Sequence, residues 1–140
     1  NGADKISINS ILFENKELIK EIASQYGSQS ISVTVTTYDM DNEFYVYSES
    51  GTKFHNIKLG DWLNVLLDLP IAEIIIISMR NDGTLKGLDK NLVSKVNQEK
   101  LNKKNFLYCG GIKSYQDLIF LKKNNFRGAV ISKLFHNAKI

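Results

Sequence analysis

The sequence contains one cysteine, Cys109, and one proline, Pro70. A single cysteine excludes an internal disulfide and any cysteine-rich metal site, a usage that fits a reducing cytoplasm. No Gly/Ser-rich or low-complexity tract marks a linker, so the 140 residues read as a single domain, 1–140. No apolar run approaches the ~20 residues that cross a bilayer, and the first residues are polar, so neither a membrane span nor a signal peptide is expected. Basic blocks are also missing. The 18 basic and 15 acidic residues are spread along the chain, with only short pairs such as Lys103-Lys104 and Lys122-Lys123, which describes a solvated surface and not a nucleic-acid stripe. The two histidines, His55 and His136, show no metal-ligand spacing, and no metal or cofactor is expected.

What is present is an ordinary globular composition, 43% hydrophobic and 24% charged, organised around Ile71-Ala72-Glu73-Ile74-Ile75-Ile76-Ile77. A short apolar run broken only by Glu73 reads as a strand buried on both faces, as in an all-parallel sheet. It delivers Ser78 and then Asp82-Gly83-Thr84 to its C-terminal end, where α/β sheets place their ligands. Around it the pattern predicts a strand over 4–10, then a helix capped by Asn15 and stopped by Gly27. A β-branched strand follows over 30–37, with a hairpin over 43–48 laid over its end. A helix over 61–67 is closed by Pro70. Asp89 caps a helix with the apolar stripe Leu92, Val93 and Val96. A strand over 106–109 runs into Gly110-Gly111, Ser114 and Asp117 form a capping box, and the last strand covers 128–132. Five strands alternating with four helices predict a parallel sheet. By counting alone an open doubly wound sheet suits 140 residues, because a closed eight-stranded barrel typically takes ~250.

Three stretches point elsewhere. Gly2-Ala3-Asp4-Lys5-Ile6-Ser7-Ile8-Asn9-Ser10, then Asn81-Asp82-Gly83-Thr84 with Gly87 and Asp89, then Gly110-Gly111 followed by Phe135-His136, resemble the family of imidazole glycerol phosphate synthase cyclase subunits, HisF. The resemblance runs from the first residue to the last and includes the turn Gly27-Ser28-Gln29. Each motif is weak alone; the ordered set is specific. The related isomerase HisA shares the barrel and the Asp-Gly-Thr segment but not the 3–9 stretch. The resemblance implies a phosphate-binding (β/α)8 TIM barrel, of which this chain supplies strands 4–8. Such an arc, with strands apolar on both faces, would leave one face and two edges open and invite self-association.

The resemblance also implies site residues. One phosphate site falls at Gly110, Gly111, Ser132 and Lys133, the last where the family usually has a small residue. The other falls near Gly83, with Asn9 and Ser10 close by; glycine lets phosphate oxygens reach backbone N–H groups. By itself, Gly110-Gly111 reads as a βα turn. Asp82 is placed to accept a proton or orient an amine, though Asp before Gly is also a common turn. Ser7, Asn9, Ser10, Ser50, Gly51 and Ser78 match site-lining positions. The family uses two catalytic aspartates as general acid and base, one of which falls outside this stretch. The position of the second is Thr36, which cannot titrate near neutral pH, and Asp39 stands three residues further on. Lys5 and Glu73 match charged residues of a gate that admits ammonia from a glutaminase partner; alone they read as an ion pair at the barrel floor or as unrelated surface charges. Cys109 reads as a buried small residue.

The expectation is therefore a HisF-like cyclase subunit acting on a phosphorylated small molecule with a HisH-like glutaminase. The alternative is a paralogue that conducts ammonia in a sugar amidotransferase complex without cyclase activity. A self-associating half-barrel scaffold stands third.

Overall fold

A computed structural model of the chain describes residues 6–48, 51–100 and 104–131. In chain order it contains β1 (Ile6–Ile8), α1 (Glu17–Tyr26), β2 (Ile31–Met40), β3 (Glu43–Ser48), β4 (Lys53–Lys58) and α2 (Leu59–Leu67). These are followed by β5 (Glu73–Ser78), α3 (Lys90–Lys100), β6 (Asn105–Cys109), α4 (Tyr115–Lys123) and β7 (Gly128–Val130). The punctuation follows local chemistry. Gly27 ends α1 at φ +88°, and the Asn15 side chain accepts from Leu18 N at 3.3 Å. Asp89 Oδ1 accepts from Leu92 N at 3.0 Å and caps α3. The expected capping box before α4 does not form: the Ser114 hydroxyl makes no cap bond, and Asp117 Oδ2 accepts at 2.9 Å from Lys113 N, one residue before the N-cap.

Strand order separates the two candidate sheets. β1, β2, β5, β6 and β7 each lie parallel beside the one before. A doubly wound sheet reverses direction at a switch point. This one never does, so it is an arc of a barrel. β2, ten residues long, shares one edge with β5. Its other edge is taken first by β1 at Ile31–Val33 and then, beyond the end of β1, by antiparallel β3 at Thr36–Met40. The hairpin thus extends the sheet edge-on instead of lying over the strand. Its turn uses Asp41 and Asn42 at φ +51° and +64°, the conformation that matches strand twist in a tight hairpin. β4, antiparallel to β3, has no counterpart in the sequence reading.

Strand parity divides the sheet into two chemically different faces. Ile8, Ile31, Val33, Val35, Ile74, Ile76, Phe106 and Tyr108 are buried in one core with Ile19, Leu63, Leu92, Val93 and Leu121 of the helices. The other face consists of three register rows: Ser32, Glu73 and Asn105 at the N-terminal end; Thr34, Ile75, Leu107 and Gly128 in the middle; Thr36, Ile77, Cys109 and Val130 at the C-terminal end. Ser7 extends the first row by its pairing with Ser32. Such layering is that of a barrel interior. It corrects one expectation, because this inner face is not apolar throughout: every inward position of β2 from 32 to 36 carries a hydroxyl.

Candidate functional site

The C-terminal ends of β2, β5 and β6 and the loop after β5 form the site. That loop is folded on itself: Asp82 N donates to Ser78 O at 2.8 Å and the Thr84 hydroxyl donates to Asn81 O at 2.7 Å. It is pinned to its neighbour by Asn81 Nδ2 to Gly87 O at 2.9 Å and Gly87 N to Gly111 O at 2.8 Å. Gly110 and Gly111 have φ of +131° and +77°. A Cβ on Gly110 would stand 2.9 Å from Ser78 O, and one on Gly111 would stand 2.8 Å from Asn81 O and closer still to Gly87 O. Packing of the loop over the turn therefore demands glycine at both positions, whatever ligand the turn holds.

Two pockets open on this rim. One, of about 20 Å³, is bounded by Asp82, Gly83, Cys109, Gly110, Gly111 and the aliphatic side chains around them. It brings Gly83 to the Gly110-Gly111 turn; Asn9 and Ser10, beyond the end of β1, do not line it. The second, of about 400 Å³, is bounded by Thr36, Ile77, Met79 and Asp82. Thr36, the position the resemblance gives to a catalytic aspartate, and Asp82, read as able to accept a proton or orient an amine, thus share one pocket, and Asp82 borders both pockets. Met79 was not anticipated; it fills the gap between the strand end and the β3–β4 turn, where a Cβ on Gly51 would lie 2.8 Å from Met79 Cε.

Parity excludes Asp39 from this pocket. Three residues from Thr36, it projects from the opposite face of β2 and borders a different cleft with Asn42, Phe44 and Lys95. Arg80 Nε holds its Oδ1 at 2.6 Å, with the guanidinium 5.0 Å from the centre of the Tyr38 ring. Ser78 is 2% exposed, on the helix side of the sheet, and its Oγ accepts from Asn81 N at 3.4 Å; it supports the loop. At the other end of the barrel Glu73 is buried, and its Oε1 accepts from Ser32 Oγ at 2.7 Å. Lys5, Ser50, Ser132 and Lys133 lie outside the described residues, and Ser7 is placed only by its backbone. Burial, and then the charge of Asp82, whose Oδ1 is 4.0 Å from Sγ, push the Cys109 thiol up. No three His, Cys, Asp or Glu side chains gather as a metal site among the described residues. No described helix is long and apolar enough to cross a membrane.

This arrangement agrees with comparison by sequence. Residues 1–140 match the family described as histidine biosynthesis protein. The chain belongs to that family. It is 30% identical over 141 residues to the imidazole glycerol phosphate synthase subunit HisF of Streptococcus mutans, covering 99% of this chain and 55% of that protein. With the HisF subunit of Natranaerobius thermophilus the identity is 31% over 140 residues, with the same coverage of each. With that of Sulfurisphaera tokodaii it is 39% over 97 residues, or 69% of this chain and 39% of the relative. The chain spans about half the length of the curated relatives that match it throughout. The histidine biosynthesis family is built on the TIM barrel, and the sheet is an incomplete one: five parallel strands in barrel order with an antiparallel hairpin grafted on its rim.

Proposed function

We propose that the chain is the strand 4–8 portion of a HisF-like cyclase subunit. In this reading the complete protein takes ammonia from a HisH-like glutaminase, admitted past Lys5 and Glu73, and forms imidazole glycerol phosphate in histidine biosynthesis. The observation that carries it is the shared rim pocket: Asp82 faces the Thr36 position on one side and the glycine turn, suited to phosphate, on the other. Asp82 then serves as the acid or base on the bound substrate, with phosphate oxygens held by backbone N–H groups around Gly83, Gly110 and Gly111, and Ser132 and Lys133 completing that site.

A second reading has its own observation. Thr36 has no titratable proton near neutral pH, and Asp39, turned to the other face and held by Arg80, cannot stand in for an aspartate there. A paralogue that passes ammonia to an acceptor in a sugar amidotransferase complex fits that loss. The complete protein, given the bisphosphorylated substrate and an ammonium salt, separates the two. Formation of imidazole glycerol phosphate supports the cyclase. No product from the wild type, with turnover appearing in Thr36→Asp at ~10²-fold or more above background, establishes that the missing general acid-base group had silenced ring closure and favours the conduit.

A further inference from the structure

The rim hairpin carries aromatic rings on both faces, and the two sets are built differently. On the helix side His55 of β4 lies flat on Phe13 with ring centres 3.6 Å apart, Phe13 lies flat on Trp62 at 4.4 Å, and Ser48 Oγ meets His55 Nε2 at 2.5 Å. That set is closed on itself. On the inward side the register places Tyr47 opposite Thr36, Tyr45 opposite Tyr38, and Phe54 opposite Tyr47. These four rings meet edge-on or tilted, at interplanar angles from 41° to 67° and centre distances from 5.2 to 6.2 Å, and no pair is stacked. The three tyrosines are half-buried and Phe54 is 43% exposed. The wall they form is continuous with the pocket of Thr36, Ile77, Met79 and Asp82, because directly opposite residues of antiparallel strands stand only ~5 Å apart at Cβ. Its bordering charges are paired off, Arg80 with Asp39 at 2.6 Å and Lys58 with Glu43 at 3.9 Å, so the wall suits a neutral ligand. Strand pairing alone would be served as well by valine or phenylalanine, yet three of the four rings are phenols, apolar across the ring and able to donate and accept at the tip.

We propose that Tyr38, Tyr45, Tyr47 and Phe54 form a saccharide subsite at the rim, where an uncharged sugar ring packs its C–H face on the aromatic wall while its hydroxyls meet the phenol tips. A sugar ring has the matching surface: weakly positive C–H groups on its faces suit the negative face of an aromatic ring, and hydroxyls circle its edge. The subsite deepens the amidotransferase reading above, on which it rests for the task of the bound sugar, by seating the acceptor's ring beside Asp82. The test is binding without turnover, so its outcome is separate from the assay that distinguishes the cyclase from the conduit. The complete protein is titrated with the methyl glycosides of glucose, galactose and N-acetylglucosamine, and with cyclohexanol as a ring of similar size lacking the hydroxyl edge, binding being followed by saturation-transfer NMR. At least one glycoside binds in the millimolar range and more tightly than cyclohexanol. Tyr47→Leu and Phe54→Leu, which keep apolar volume but remove the ring, each weaken it about fivefold, and Tyr47→Phe weakens it less than Tyr47→Leu. Should Tyr47→Leu fail to fold, Phe54→Leu, at the exposed edge of the wall, decides. Absence of glycoside binding, equal binding of cyclohexanol, or leucine variants that bind as the wild type does overturns the subsite.

Discussion

Ile75 and Ile76 are adjacent on β5 and face opposite sides of the sheet. Ile76 is fully buried in the core under the helices, whereas Ile75 is half-buried on the inner face. Replacing either with alanine removes three carbons, about 2.4 kcal/mol at ~0.8 kcal/mol per buried carbon. The cavity left behind brings the usual range for buried isoleucine to ~2–5 kcal/mol. If the inner face is a barrel interior closed by the remaining strands, Ile75→Ala in the complete protein costs as much as Ile76→Ala. If that face is the solvated side of an open sheet, Ile75→Ala falls within ~0.5 kcal/mol of wild type, as surface substitutions do. Urea unfolding of the two variants, compared at equal denaturant dependence, reads the difference directly. A near-neutral Ile75→Ala beside a costly Ile76→Ala would refute the barrel.

Two other outcomes test the site and its support. Cys109 lines the rim pocket, so alkylation followed at this residue reports on it; its rate should rise with pH through a midpoint above that of an ordinary thiol and fall when inorganic phosphate occupies the glycine turn. A rate unmoved by phosphate would count against a phosphate site there. Tyr108, fully buried, accepts from Asp89 N at 2.8 Å, and burial pushes its phenol from 10.0 up to about 12. A raised folded-state value means that its stabilisation is complete below pH 10 and lost as pH rises toward 12. Tyr108→Phe should flatten that alkaline loss in a pH series of unfolding curves, while costing ~1–3 kcal/mol at neutral pH for the N–H left unpaired.

The parallel core was legible because its signals are local. Isoleucine and valine runs, Asn15, Gly27 and Asp89 each specify their element without distant partners. β4 was not legible: its alternation Lys53-Phe54-His55-Asn56-Ile57-Lys58 is polar and mostly exposed, and Asn56 at φ +53° interrupts it. It is a strand because β3 offers an edge, with Tyr47 opposite Phe54 and their rings 5.2 Å apart. Barrel against open sheet was likewise beyond residue counting, since both share the same alternation and differ only in which strand lies beside which. At the site, Asp82 and the glycines were visible as a rim motif. The shared pocket was not, because Met79 and Gly51 meet across 28 residues of chain. Strand parity, by contrast, could have been read in advance: three residues separate Thr36 from Asp39, an odd number, so the two cannot serve one face of a regular strand.

That parity bears on how Thr36 is read. If the position is catalytic, as the resemblance implies, an isolated threonine there would be a broken catalytic group, and a carboxylate should restore chemistry. Placed beside Ser32 and Thr34, it is the last of three hydroxyls on a strand whose other face is Ile31, Val33 and Val35 until Thr37. The inner face of β2 is thus a continuous hydroxyl-bearing surface from Ser32 to Thr36. A carboxylate at Thr36 would place a second acidic group beside Asp82 at the top of that surface, gaining a proton donor or acceptor at the expense of the neutral lining below it.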